Sequence, residues 1–211
     1  MAETLHQKIR KIYPLPMPSH MTHIKKLESI INSGGLLPFN KVQHSEETSL
    51  SNEDVQKGRA SKTVPPSGRP LHDYVPLYFS PKTPMVAWNQ AKNEDIIFLR
   101  FLYNIFKIEG VVFTDGNARS NSTQFYNFTS VDDLKALDLE VVCGGGYKDD
   151  PERKRKKQAE ILVPDFLPFS EVYDIFVFSQ STQIAVLQTL STHGIKTPIR
   201  VSPKWYFRPQ T

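Results

Sequence analysis

The 211-residue sequence predicts an α+β fold with a largely antiparallel, split sheet, and three features carry that prediction. Short apolar runs recur along the chain, six or so of strand type, while helical periodicity is confined to a few segments. Sixteen prolines against ten glycines cut the chain into short elements joined by stiff loops and exclude a coiled coil. A hydrophobic fraction of 39%, with 13 Phe and 8 Tyr, is enough to bury a core, which excludes a wholly disordered chain. The length suits a single domain over residues 1–211.

The elements follow in order. Pro14, Pro16 and Pro18 limit the opening segment to a short helix before Tyr13. The best helix signal comes next, with Thr22 as N-cap, Ile24, Leu27, Ile30 and Ile31 on one face, and Gly34-Gly35 as the stop. Residues 40–71 are polar and read as one long loop, a length that compact domains reserve for functional or mobile segments. Residues 75–79 form a β-type run ended by Ser80-Pro81, followed by a helix from Thr83 or Pro84 through Lys92. The apolar and aromatic residues 96–106 read as one or two buried strands, and 111–113 as another, closed by Asp115-Gly116-Asn117. Ser130 with Asp132 and Asp133 opens a helix that ends near Leu137. Strands at 140–142, 159–163, 172–178 and 199–201, with a helix from about Ser181 to His193 closed by Gly194, complete the chain.

Charge is localised. The formal net charge is +4, and the run Arg153-Lys154-Arg155-Lys156-Lys157 supplies five cations, so the rest of the chain is slightly acidic. Such a run suits contact with a polyanion; alternatively it is a solvated loop. The single cysteine, Cys143, excludes an intrachain disulfide and Cys-rich metal sites. With no basic-then-apolar opening and no apolar run near ~18 residues, a soluble, cytosolic protein is expected. No phosphate-loop, dinucleotide, GxSxG or HExxH motif is present, and the six histidines lack ligand spacing, so no metal is expected.

What remains is a set of polar residues set into apolar elements. Alternation places His20 and Thr22 on one side of an extended segment, where they grip one ligand group together, or else Thr22 caps its helix and His20 is structural. Glu160, in Gln158-Ala159-Glu160-Ile161-Leu162-Val163, shares a strand face with Leu162, a costly place for a carboxylate unless it is partnered or used. A salt bridge to the adjacent cations is the structural alternative. Arg59, in the long polar loop, has the fork that binds two phosphate oxygens, or is an ordinary exposed arginine. Asp115, Asn117 and Arg119, with Tyr126 nearby, concentrate groups able to read a base edge on what is otherwise a turn.

Four blocks in order resemble the DarT family, the DNA ADP-ribosyltransferase toxins of bacterial toxin–antitoxin pairs. They are Ser19-His20-Met21-Thr22-His23-Ile24 with Gly34-Gly35-Leu36, then Val75-Pro76-Leu77-Tyr78-Phe79-Ser80-Pro81 with Pro84-Met85, then Phe113-Thr114-Asp115-Gly116-Asn117-Ala118, and last Lys157-Gln158-Ala159-Glu160-Ile161-Leu162-Val163. Together they span about residues 18 to 180. Ser19, Lys82-Thr83 and Tyr147 depart from the family pattern, which usually has an aromatic, Arg-Ser and Trp in those regions.

The resemblance implies an ADP-ribosyltransferase-like split β-sandwich with peripheral helices, and NAD as co-substrate. His20, Tyr78 and Glu160 take the places of the fold's three motif residues. It implies that His20 and Thr22 hold the nicotinamide ribose, that Tyr78 and Met85 pack on the nicotinamide, and that Arg59 meets the pyrophosphate and assists the reaction. Glu160 then stabilises the cationic ribose and accepts the proton of the attacking base. Arg153-Lys154-Arg155-Lys156-Lys157 would hold a single strand while Asn117, Arg119, Tyr126 or Tyr147 contact its bases. Thymine is the first choice of target and guanine the second. A macrodomain antitoxin of the DarG type is the implied partner, and a monomer the default. Two rival readings remain: an NAD-dependent RNA 2′-phosphotransferase on the same fold, and a nucleic-acid-binding module without catalysis.

Overall fold

The computed structural model describes residues 2–50, 53–144, 146–147 and 149–208. In chain order the regular elements are α1 (Leu5–Ile12), β1 (Ser19–His23), α2 (Leu27–Asn32), β2 (Gly35–Leu36), α3 (Glu53–Ala60), β3 (Thr63–Val64), β4 (Arg69–Pro70) and β5 (Tyr74–Tyr78). There follow α4 (Pro84–Trp88), β6 (Ile96–Phe101), β7 (Val112–Thr114), β8 (Phe125–Asn127), α5 (Leu139–Cys143), α6 (Pro151–Lys156) and β9 (Glu160–Pro164). The chain closes with β10 (Leu167–Pro168), β11 (Val172–Val177), α7 (Gln180–Thr192) and β12 (Ile199–Val201), and short 3₁₀ turns link many of these.

Eight strands form one sheet in the order β12-β11-β6-β1-β5-β9-β7-β8, antiparallel except for the parallel β11–β12 edge. β1 makes five register pairs with β6, and β5 makes five with β9, yet β1 and β5 meet only at Ser19 and Tyr78. The sheet is therefore split down its middle into two four-stranded halves.

Pro76 accounts for part of the split. The Pro76 carbonyl oxygen points toward β1, because His20 Nδ1 reaches it at 2.9 Å. In an extended residue the N–H and C=O point to the same side, so the donor that proline lacks is the one β1 would have met. The His20 imidazole fills the widening gap and satisfies the carbonyl in place of a backbone donor.

One face of the sheet carries the main core. Val75, Leu77, Ile97, Leu99, Phe113, Ile161, Ile175 and Val177 pack there with Ile9 of α1, Leu27 of α2, and Val186 and Leu190 of α7. The other face holds two smaller clusters, Met21, Phe98 and Phe176 with Tyr206 on one half, and Tyr74, Val112 and Leu162 with Leu71 on the other. At one end of that second face the register aligns Asp174, Arg100, Ser19, Tyr78 and Glu160 on five adjacent strands, a polar row beside the apolar ones.

Several elements differ from the sequence expectation. Thr22 is inside β1 and caps nothing; His23 caps the following 3₁₀ turn by accepting from Lys25 N, and the helix begins only at Leu27. β-pairing with β6 on one side outweighs the helical pattern of residues 22–31 at its start. The polar segment 40–71 is not one loop but contains α3 and the β3–β4 hairpin. Residues 140–142 lie in the helix α5, capped by Asp138, because three apolar residues alone cannot distinguish strand from helix. Residues 102–106 leave the strand for a 3₁₀ turn. β8 and α6 went unpredicted, although Asp150 as N-cap with Pro151 at the first position is a sound helix start.

Gly34 and Gly35 end α2 and pass the chain under the β9–β10 region. Gly34 adopts φ +76°, and a Cβ on Gly35 would sit 2.3 Å from the Leu167 carbonyl oxygen. Replacement Gly35→Ala is expected to cost about 1–3 kcal/mol and to lower the melting temperature by several degrees; a thermal melt indistinguishable from wild type would refute this close packing.

Candidate active site

Glu160 opens β9, between β5 and β7, and its side chain is 1% exposed. A buried carboxylate demands compensation; two donors supply it, and a third hydrogen bond anchors the Glu160 backbone. Arg59 Nη1 donates to Oε1 at 3.0 Å, the Ala118 amide donates to the same oxygen at 2.9 Å, and the Glu160 amide donates to Thr114 Oγ1 at 3.0 Å. Oε2 has no hydrogen-bond partner within the protein. The carboxylate thus has one oxygen fixed and the other uncommitted.

Arg59 is carried in by α3 and is only 8% exposed, so it is neither a mobile loop residue nor an ordinary surface arginine. Burial opposes its charge, but the field and hydrogen bond of Glu160 prevail and hold the guanidinium pKa above its usual value. Tyr78 lies beside Glu160 in register, and burial, reinforced by the Glu160 charge, pushes its phenol well up. Its protonated hydroxyl faces Met85 Sδ at 3.9 Å, so Tyr78 and the first turn of α4 form one aromatic and thioether wall. Ser19, the partner of Tyr78 across the split, has a buried hydroxyl oxygen without a partner.

His20 and Thr22 do share a side of β1, but it is the side opposite Ser19, Tyr78 and Glu160. Thr22 is buried against the β6 register position of Ile97. His20 is half-buried at the split. The Pro76 oxygen can only accept, so Nδ1 carries the proton; burial lowers the imidazole pKa despite that bond, leaving a neutral ring with Nε2 able to accept.

A polar cleft of about 540 Å³ opens between the end of α3, the loop 117–121 and α6, lined by neighbours of Arg59 and Ala118 in the chain but not by Glu160 itself. Its lining includes Lys62, Asn117, Arg119, Lys154 and Gln158. Asn117 Nδ2 donates to Gln158 Oε1, and Arg119 packs across Gly58, where a Cβ would come within 2.3 Å of its Nε. Arg119 and Lys154 are exposed and form no ion pair among the described residues.

The basic run is not a uniform cationic surface. Arg155 is 9% exposed and paired with Asp115 and Glu152. Lys157 is 3% exposed and donates to the carbonyls of Val142, at 2.7 Å, and Gly144, at the C-terminus of α5. Arg153 pairs with Glu140 and Lys156 with Asp138. Lys154 alone of the five is exposed. Tyr126 stacks on Phe113 at 5.1 Å on the main-core face, away from Glu160, because the register pairs it with Phe113 rather than Thr114. Tyr147 is half-buried ahead of α6 and does not line the cleft. Among the described residues no group of three or more His, Cys, Asp or Glu is placed to hold a metal ion, and no helix is long and apolar enough to cross a membrane.

Sequence reasoning missed the Ala118 amide and Thr114 as partners of Glu160. A backbone donor leaves no side-chain signal, though the tight Asp115-Gly116 turn directly before it marks where the chain doubles back.

The family model for the ssDNA thymidine ADP-ribosyltransferase DarT matches residues 19–207. A DNA ADP-ribosyl transferase of Thermus sp. (strain 2.9) is 32% identical, over 94% of this chain and 100% of the relative. The solved structure of Thermus sp. 2.9 DarT in complex with ADP-ribosylated ssDNA superposes with a TM-score of 0.84 at 31% identity, covering 92% of this chain and 98% of that one. The same protein in complex with NAD+ gives 0.78 at 29% identity, covering 92% and 100%. A DNA ADP-ribosyl transferase–DNA ADP-ribosyl glycohydrolase fusion protein of Thermosipho africanus is 26% identical, over 90% of this chain and 49% of the fusion.

The two halves of the basic run are separable by stability. Lys157→Met strips two carbonyls of their donor and is expected to cost about 1–3 kcal/mol, whereas Lys154→Ala stays within about 0.5 kcal/mol of wild type. Equal denaturation midpoints for the two variants would show that Lys157 is not an internal cap.

Proposed function

The chain belongs to the DarT family of ssDNA thymidine ADP-ribosyltransferases, and on that premise we propose that the Glu160 site transfers ADP-ribose from NAD to a thymine base of single-stranded DNA. The observation that carries the assignment to this site is the buried Glu160 carboxylate, with Oε1 held by Arg59 and Ala118 and Oε2 uncommitted. The residues present fit a dinucleotide in the split. Tyr78 and Met85 supply a flat apolar wall for the nicotinamide ring, and the unpartnered Ser19 hydroxyl beside Tyr78 can meet a ribose hydroxyl, while His20, on the other side of β1, holds the split open through the Pro76 carbonyl. Thr22, being buried, supports the strand rather than contacting the cofactor.

NAD supplies the ADP-ribosyl group, and positive charge develops on its ribose as nicotinamide leaves. Glu160 Oε2 stabilises that charge and takes the proton released by the base nitrogen. Arg59 keeps Oε1 engaged, so the free oxygen is presented in one orientation, and its remaining donors are offered to a phosphate oxygen of the dinucleotide. A base edge is open to attack only outside a duplex. Lys154, Arg119 and Lys62 hold the strand through its phosphates, while Asn117, which lines the cleft, contacts a base edge. The enzyme works as one monomeric domain in the cytoplasm, and a DNA ADP-ribosyl glycohydrolase of the kind fused to the Thermosipho relative reverses its product.

Labelled NAD with single-stranded, duplex and RNA oligonucleotides tests the reading. Label is expected on thymine-containing single strands alone. Glu160→Gln is expected to lower kcat by about 10²-fold or more while NAD affinity changes little; full activity in Glu160→Gln would overturn the assignment. Lys154→Ala is expected to raise the KM for DNA and to flatten the salt dependence of binding by about 0.7 in log–log slope. An unchanged slope would remove Lys154 from the DNA path.

A further inference from the structure

The reading above leaves Arg155 without a part in binding DNA, and its surroundings give it another. Every N–H of its guanidinium is spent inside the protein. Nε and Nη2 donate to Glu152 at 2.8 and 2.7 Å, Nη1 and Nη2 to Asp115 at 2.8 and 3.2 Å, and Nη1 also to Thr123 Oγ1 at 3.1 Å. A guanidinium has five N–H donors, so none is left for a phosphate. The side chain packs against Gly116, where a Cβ would approach Nη1 to 2.3 Å.

What this fork holds is the turn that serves Glu160. Asp115 stands at the start of the turn, and Thr123 returns a hydrogen bond to the Asn117 carbonyl at 2.7 Å. The Asn117 amide donates to the Arg155 carbonyl at 3.0 Å, and Thr114 donates to the Gly116 carbonyl at 2.6 Å. The next amide, that of Ala118, donates to Glu160 Oε1. The turn is thus clamped from α6 and from β7, and its single output toward the site is one N–H aimed at the carboxylate.

We propose that Arg155 is a positioning residue for the transfer reaction: it locks the 114–118 turn so that the Ala118 amide fixes Glu160 Oε1 and leaves Oε2 alone to face the substrate. This rests on the assignment of Glu160 as the reacting carboxylate. Without the clamp the amide is lost as a fixed partner, the carboxylate turns about Arg59, and the reacting oxygen is no longer preset. Arg155 itself lines the cleft beside Lys154 and Gln158, but all five of its donors are turned into the protein, so its replacement by lysine leaves the exposed cations of the cleft and the Tyr78–Met85 wall in place.

The test is steady-state transfer by wild type, Arg155→Lys, Thr123→Val and the double variant, on a thymine-containing single strand, each checked for folding by thermal melt. Arg155→Lys keeps the charge and loses the fork; Thr123→Val removes two hydrogen bonds, the one from Arg155 Nη1 and the one to the Asn117 carbonyl, and leaves both ion pairs, so it reports even if the lysine variant folds poorly. The expected result is a kcat reduced about 10- to 100-fold in Arg155→Lys and by a smaller factor in Thr123→Val, with KM for NAD and for DNA within about twofold of wild type. The double variant is expected to be no slower than Arg155→Lys, because both changes open the same clamp. A kcat at the wild-type level in both single variants, a raised KM for DNA with kcat intact, or multiplicative losses in the double variant would overturn the proposal. Inactive wild type would instead overturn the functional assignment itself.

Discussion

A carboxylate buried at the middle of a sheet governs much of this structure. Taking Glu160 out of water costs several kcal/mol, and the fold is arranged so that two separate segments return that cost. Arg59 comes from a helix a hundred residues earlier in the chain, and Ala118 from a turn that reaches across β7. The segment between β2 and β5 must therefore fold over the sheet rather than stray from it, which is why a stretch with weak amphipathic character still forms α3. Both partners converge on the same oxygen. A symmetric cage would neutralise the group, whereas one-sided satisfaction leaves a polarised site with a defined direction.

The split in the sheet gives that direction somewhere to point. Ser19 and Glu160 are buried, and Tyr78 between them is the partly exposed member of the row. With β1 and β5 joined at one pair, the polar row on one face borders an opening, while the main core on the other face stays continuous beneath it. Pro76 and His20 maintain this arrangement with local chemistry, one by withholding a donor and the other by satisfying the exposed carbonyl. The core supplies stability and the split supplies access, and neither compromises the other because they occupy opposite faces.

How far the sequence reveals this depends on the range of the interaction concerned. Strands with long apolar runs, such as those at 96–101 and 172–177, and helices with complete caps, such as α7, are visible because local pattern and tertiary role agree. Glu160 stood out for the converse reason, as a carboxylate on a face its neighbours bury. Segments whose state is set by a distant partner are not visible in the same way. Thr22 has every local mark of an N-cap, but the ladder with β6 claims it for a strand. The placement of His20 on the far side of β1 from Glu160 follows from register across three strands, which one sequence does not contain. Arg59 was singled out as a phosphate-binding side chain, yet its partner within the protein is named only by the fold.

The basic run shows the same limit in electrostatics. Five consecutive cations suggest a surface for a polyanion, because a linear reading assigns each charge to solvent. A helix distributes them around its axis instead, and α6 with the residue after it turns Arg155 and Lys157 inward, to Asp115 and to the end of α5. Arg153 and Lys156 meet Glu140 and Asp138 at the rim. The cations that remain at the cleft, Lys62, Arg119 and Lys154, come from three separate segments and form one cationic margin only in the folded protein. On the proposed reading, a strand held by these few cations binds through a modest electrostatic term, so charge alone does not select the target, and the geometry of the turn that fixes Glu160 carries more of the reaction than the basic run does.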